Sequence, residues 1–239
     1  MTASVAPAPP APRPTPGPSS RAGDSERVLH RLVRRELAML AELSVWAEPD
    51  DQRRTSALTE HADLIGRLLL AHHGTERELL WPALVRTVRP TDADLARARV
   101  AQWSAACARL DHLLRDLSTA ARQWAVAGAA PARDAFARAC HRLAVAVDRQ
   151  TAEEEGELVP MLTELPVAEW TAITRAVRSG LSATERRLVL GLALEDADPH
   201  ERARLLAAQS ALTRLTWRLR GRRRYRAAVV RLRGAPPAA

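Results

Sequence analysis

The sequence predicts an all-α fold, an up-down-up-down four-helix bundle followed by a helical extension, on three observations. Ala, Leu and Arg dominate, Gly is scarce, and Phe136 and Tyr225 are the only residues of their kinds, a balance that favours helices over strands. Apolar residues recur three or four positions apart along four long stretches. Pro49, Pro90, Pro131 and Pro166 separate those stretches by short connections, as antiparallel neighbours require.

Taken in order, residues 1–22 hold seven prolines and little that can pack, so a disordered, partly polyproline-like arm is expected there. The bundle is expected over residues 23–165. Asp24 or Ser25 caps the first helix, which carries Leu29, Val33, Leu40 and Leu43 inward with His30 on the flank of that stripe. Asp50 and Asp51 open the second, where Leu58, Ala62, Ile65, Leu69, His72, Glu76, Leu79 and Ala83 share a face as far as about Thr87. Thr91 caps the third, with Val100, Trp103, Cys107, Leu110, Leu114, Leu117 and Trp124 on its inner face, and Gly128 ends it. The fourth turns Phe136, Cys140, Leu143, Val147, Gln150, Glu154, Leu158 and Met161 inward. His112, His141 and His200 point to solvent. Three shorter helices, at residues 167–179, 184–194 and 199–219, are expected in an extension over residues 166–234, with Ser182 and Glu195-Asp196 at their boundaries and residues 235–239 as a tail.

Chemistry concentrates in the second helix. His72 and Glu76 stand one turn apart inside an apolar stripe, which suits an imidazole and a carboxylate to hold one cation from a helical scaffold. Gln150 and Glu154 repeat that spacing in the fourth helix. Depth can be counted from the turns: the His72 level falls near residue 106 in the third helix and about residue 151 in the fourth, at a rise of about 1.5 Å per residue. Cys107, Gln150 and Glu154 therefore share its layer, and His30, as far from the first turn as His72 is, joins them. His73 and His61 are candidates to buttress those ligands, with the surface as the alternative for His73 and a satisfied interior position for His61. His61 lies roughly 16 Å from His72 along the helix and cannot bind the same ion.

Several functions find no support. No apolar run approaches the roughly 18 residues that span a bilayer, and the N-terminus has no apolar signal core, so a cytoplasmic address is expected. Cys107 and Cys140 make no paired framework and should be reduced and buried. There is no Gly-rich phosphate loop, no Cys/His zinc spacing and no helix-turn-helix reader, so sequence-specific DNA binding is not expected. The net charge of +8 is all arginine, with an excess between Arg218 and Arg233. There the arginines alternate with Trp217, Leu219, Tyr225, Val229, Val230 and Leu232, an amphipathic helix that either packs on the bundle or contacts an anionic membrane or nucleic acid.

With a helix-one His, a His-x-x-x-Glu running into Leu-Leu-Trp81-Pro82, and Glu154-Glu155-x-x-Leu-Val-Pro160 closing helix four, the chain resembles hemerythrin-like (HHE cation-binding) domains. Leu194-Glu-Asp-Ala-Asp-Pro199 and Trp217-Arg-Leu-Arg-Gly-Arg-Arg resemble the helical extension of many actinobacterial members. The resemblance implies a di-iron centre among four helices and roles with oxygen, nitric oxide or iron. By position it implies His30, His72, Glu76 and Glu154 as ligands. Two positions depart from its pattern: Cys107 stands where helix three offers His, and Gln150 where helix four does. A thiolate and an amide are poor replacements for imidazole at iron. What is expected is a non-haem iron protein, with a di-iron or a single-iron site, that binds or senses O2 or NO or handles the metal. Mn or Zn is the other cation such donors suit. The alternative is a metal-free scaffold acting through its basic C-terminal helix on a protein, membrane or nucleic-acid partner. No catalytic acid or base suggests itself.

Overall fold

The computed structural model describes residues 21–177 and 180–234. Residues 1–20 of the expected arm and the tail at 235–239 lie outside the described residues. Every regular element described is helical, and none of the described helices is long and apolar enough to cross a membrane.

Helix α1 (Arg21–Trp46) is already helical at Arg21, so Asp24 and Ser25 lie within its first turns instead of capping it. The reason is packing: Ala22, ahead of the expected cap, is buried among Trp81, Trp103 and Leu162. The buried face runs Glu26, His30, Val33, Leu37, Leu40 and Ser44, with Leu29 and Leu43 at its half-buried edge. His30 is thus central, not flanking.

Asp51 caps α2 (Gln52–Thr75), its carboxylate accepting the Arg53 and Arg54 backbone N–H groups. A π turn at Glu76–Leu80 then joins it to α3 (Trp81–Thr87), and the Trp81 N–H reaches back to the Glu76 carbonyl. Pro82 has no N–H to give and its ring clashes with a carbonyl one turn back, which a widened turn relieves. The extra residue rotates the downstream face: Leu80, Trp81 and Leu84 are buried while Leu79 is only half-buried.

A 3-10 turn at Pro90–Asp92 takes in Thr91, and Asp92 precedes α4 (Ala93–Ala127). Gly128, at φ 55°, ends α4 in the left-handed conformation that glycine adopts without steric cost. Helix α5 (Ala130–Met161) carries Pro131 in its first turn, where the missing N–H would have no intrahelical partner, and Pro160 within its last turn. Helices α1 and α5, α5 and α4, α4 and α2, and α2 and α1 pack as neighbours, closing a four-helix ring.

The extension contains α6 (Val167–Ala176), α7 (Ala183–Glu195), α8 (Pro199–Ala207), α9 (Ala211–Thr216), a second π turn at Trp217–Gly221, and α10 (Arg222–Arg233). Ser182 begins α7 with a reciprocal capping box to Glu185. The helix expected over residues 199–219 is interrupted at residues 208–210, where Ser210 caps α9. Helix α10 lies against α2 and α7 and buries Tyr225, Val229 and Leu232 with Leu190, Leu192 and Leu194. Its end is held by charge: Arg233 donates to Glu36 of α1 at 2.9 Å and to Glu195 of α7 at 2.6 Å. Cys107 and Cys140 are both free and buried.

Candidate metal centre

A polar layer splits the bundle core in two. Leu69 of α2 belongs to one apolar cluster and Leu80 of the following π turn to the other; on α5 the division falls between Val147 and Leu158, and on α4 between Leu110 and Cys107. Between them lie Glu26, His30, Glu76, Gln150 and Glu154, all buried, with the His72 side chain 9% exposed. The layer occurs at the depth counted from the turns, because rise per residue is fixed by helix geometry.

His72 Nε2 is its centre, 3.5 Å from both Glu26 Oε2 and Glu76 Oε1. His30 Nε2 lies 3.7 Å from Glu26 Oε2 and 3.3 Å from Glu154 Oε2. Two sets of donor atoms therefore converge, Glu26 with His30 and His72, and His72 with Glu76 and Glu154, each within 4.8 Å of one another. Three of these atoms, Glu26 Oε2, His30 Nε2 and Glu76 Oε1, are buried without a hydrogen-bond partner. An unpaired buried polar atom costs kilocalories per mole, so two carboxylate oxygens and an imidazole nitrogen left unpaired in donor groups that share His72 fit a cation.

The neighbouring charges prepare the donors. Burial, followed by the nearby His30 and His73, drives the His72 pKa well below the usual imidazole range, which leaves its lone pair available. Burial pushes Glu26 up to about 7, reinforced by Glu154 and opposed by His30. Burial, then Glu154 and Glu26, lifts Glu76 well above the ordinary carboxylate range, and burial also raises Glu154. Three carboxylates held this close in a dry layer resist ionisation unless a positive charge joins them.

Supporting contacts orient the ring of His30. Its Nδ1 sits 3.2 Å from Glu155 Oε1, and Glu155 is also gripped by Arg34. Burial alone would raise the Glu155 pKa, but the His30 hydrogen bond and the Arg34 charge bring it below the usual value. An ionised Glu155 can only accept a hydrogen bond, so it orients the His30 ring with Nδ1 toward itself and Nε2 toward the centre.

The other expected residues take up different duties. Cys107 is not among the converging donors; its Sγ lies 3.7 Å from Glu76 Oε2, and burial followed by Glu76 and Glu154 raises its pKa so that the thiol keeps its proton. Gln150 presents its amide nitrogen, not its oxygen, donating to Glu154 Oε1 at 2.8 Å and Cys107 Sγ at 3.2 Å. It positions Glu154. His73 is buried, not at the surface, with Nδ1 2.7 Å from Asp111 Oδ1, and Asp111 is braced by Arg77 at 3.0 Å. His61 buttresses nothing here: its Nε2 is 2.8 Å from Glu36 Oε2, two turns along α1 from His30, in the cluster that Arg233 completes. His112, His141 and His200 are exposed.

Two functional residues escape the reading by periodicity. Glu26 precedes His30 by one turn and Leu29 by three residues, but as a lone acid at the edge of the apolar stripe it reads as an exposed first-turn residue; Glu155 is hidden by its neighbour Glu154. The Glu-x-x-x-His at 26–30, the reverse of His72-x-x-x-Glu76, was the available signal.

The family model described as hemerythrin HHE cation binding domain matches residues 26–162. No curated protein and no solved structure matches the chain.

Proposed function

The chain belongs to the hemerythrin HHE cation-binding family, whose match spans more than half of it, and from that premise we propose that it holds a single non-haem iron ion and binds a small diatomic ligand there. Cation binding follows from the family. The single ion is argued from His72, whose Nε2 belongs to both sets of donors, since one nitrogen lone pair serves one metal ion. The two positions where the family pattern offers further imidazoles hold Cys107 and Gln150, hydrogen-bonded to each other.

Three carboxylates and two imidazoles form a hard, anionic donor set suited to Fe(II) or Mn(II). An iron ion bound there supplies redox capacity and a coordination position for O2 or NO. The chain's own residues do the rest. Glu155 fixes the His30 ring, Gln150 holds Glu154, and the apolar clusters on both sides keep bulk water from the layer.

The single observation that carries this reading is the trio of partnerless buried atoms, Glu26 Oε2, His30 Nε2 and Glu76 Oε1, around His72. Anaerobic Fe(II) titration with elemental analysis tests it. One iron per chain, with a visible spectrum that changes reversibly on exposure to NO, is the expected result. Two irons would overturn the single-ion assignment, and no iron would leave a metal-free scaffold.

A further inference from the structure

The extension carries a groove of about 540 Å³ between α7, α8 and α10. Its wall presents Arg202, Arg218, Arg222, Arg223 and Arg226, and all five are exposed. Trp217 and Tyr225 lie beneath. Among the described residues Glu195 is the one acid lining it, and that carboxylate is occupied by Arg233 at 2.6 Å and by the Tyr225 hydroxyl, which donates at 2.5 Å.

The π turn organises the wall. Trp217, Gly221, Tyr225 and Val229 recur four apart and face the core, and a Cβ on Gly221 would stand 2.6 Å from the Trp217 ring, so the indole seats directly on that backbone. The adjacent row, Arg218, Arg222 and Arg226, is thereby lined up one turn apart along the groove.

Like charges gathered on a concave wall repel one another unless an anion joins them. Among the described residues no carboxylate pairs with Arg218, Arg222, Arg223 or Arg226. Some surface arginines pair with acids, as Arg31 does with Glu201, Arg67 with Asp63 and Glu185, Arg99 with Glu157 and Arg231 with Glu60, while others, such as Arg109 and Arg138, are exposed without a carboxylate partner among the described residues. What sets the groove arginines apart is their gathering on one concave wall. We propose that this groove binds an anion carrying two or more phosphoryl groups, either free in solution or borne on a lipid headgroup. Planar guanidinium forks match phosphate oxygens two at a time, and the volume falls in the range of small-molecule sites.

Isothermal titration of the full chain with inorganic tripolyphosphate, at low and at physiological salt, tests this. One saturable site is expected, weakened at least tenfold by Arg222→Ala combined with Arg226→Ala. The exposed pair Arg109→Ala and Arg138→Ala should leave it unchanged. Circular dichroism of both double variants should match the parent, since none of the four side chains packs in the core. No saturable binding, or equal weakening by both pairs, overturns the proposal. Co-sedimentation with phosphatidylcholine vesicles containing a bis-phosphorylated phosphoinositide then separates the sources. Capture that tripolyphosphate competes away identifies the lipid-borne anion, and tripolyphosphate binding without capture identifies the free one. Capture that survives Arg222→Ala with Arg226→Ala would overturn the groove as the site.

Discussion

Glu26 Oε2 of α1 lies 3.5 Å from His72 Nε2 of α2, both within the polar layer and with no hydrogen-bond partner for that carboxylate oxygen. In the proposed site Glu26 is a candidate ligand beside His72. Glu26→Gln, which keeps the shape but removes the charge, should weaken Fe(II) binding at least tenfold. His72→Ala should abolish it, and His112→Ala, at an exposed position, should not change it. Equilibrium titration of the three variants checks the ranking; equal losses for His72→Ala and His112→Ala would refute the site.

Metal-free protein should lose stability as pH rises. Burial pushes Glu26 up to about 7 and raises Glu76 and Glu154, so the folded state holds protons that the unfolded chain has released above its ordinary carboxylate pKa of about 4.5. More protons bound by the folded state means that unfolding becomes easier with rising pH over about pH 4.5 to 7. A bound cation replaces those protons. Fe(II) or Mn(II) should therefore raise Tm more at about pH 7.5 than at about pH 5, and proton release on binding should be measurable in weakly buffered solution.

Gln150→His places an imidazole beside Glu154, where the amide now donates at 2.8 Å. Iron affinity should rise and a second ion should become admissible. A binding isotherm unchanged in both midpoint and stoichiometry would show that position 150 does not reach the centre.

Glu36 behaves oppositely to the metal-layer acids. Although burial would raise its pKa, the His61 hydrogen bond and charge, with Arg35 and Arg233, lower it below the ordinary value. A depressed carboxylate contributes stability that is present above its unfolded pKa and lost as pH falls through the folded one. Glu36→Gln should cost about 3 kcal/mol at neutral pH, by removing the buried anion that His61, Arg35 and Arg233 share, and should flatten acid unfolding below about pH 4.5. Urea titrations at two pH values measure both.

Gly191 faces the Tyr225 ring so closely that an added Cβ would stand 2.3 Å from it. Gly191→Ala should destabilise the docked α10 by about 1–3 kcal/mol, as overpacking does. Limited proteolysis should then cut first near the second π turn, whereas cleavage first within α4 or α5 would contradict this.

Most of the bundle was legible in the sequence. Trp103, Cys107, Leu110, Leu114, Leu117 and Trp124 form the buried face of α4 as their spacing predicts, and Phe136 to Leu158 do so on α5. Helix α1 was read less well, because Leu29 and Leu43 suggest an apolar stripe beside the true one, and the choice between neighbouring stripes depends on what packs against them. The widened turn at Glu76–Leu80 was not anticipated, although Pro82 is its visible cause.

By itself the sequence determined four helices, their order, and the shared depth of His30, His72, Glu76, Gln150 and Glu154, because rise along a helix is counted residue by residue from turns that Pro and Gly mark. Tertiary structure alone decided that Glu26 completes the donor set, that Gln150 offers a nitrogen and not an oxygen, that His61 serves Glu36, and that α10 buries its apolar face while leaving a row of arginines bare. Rotation about a helix axis and side-chain direction are set by contacts between helices, and no periodicity within one helix contains them.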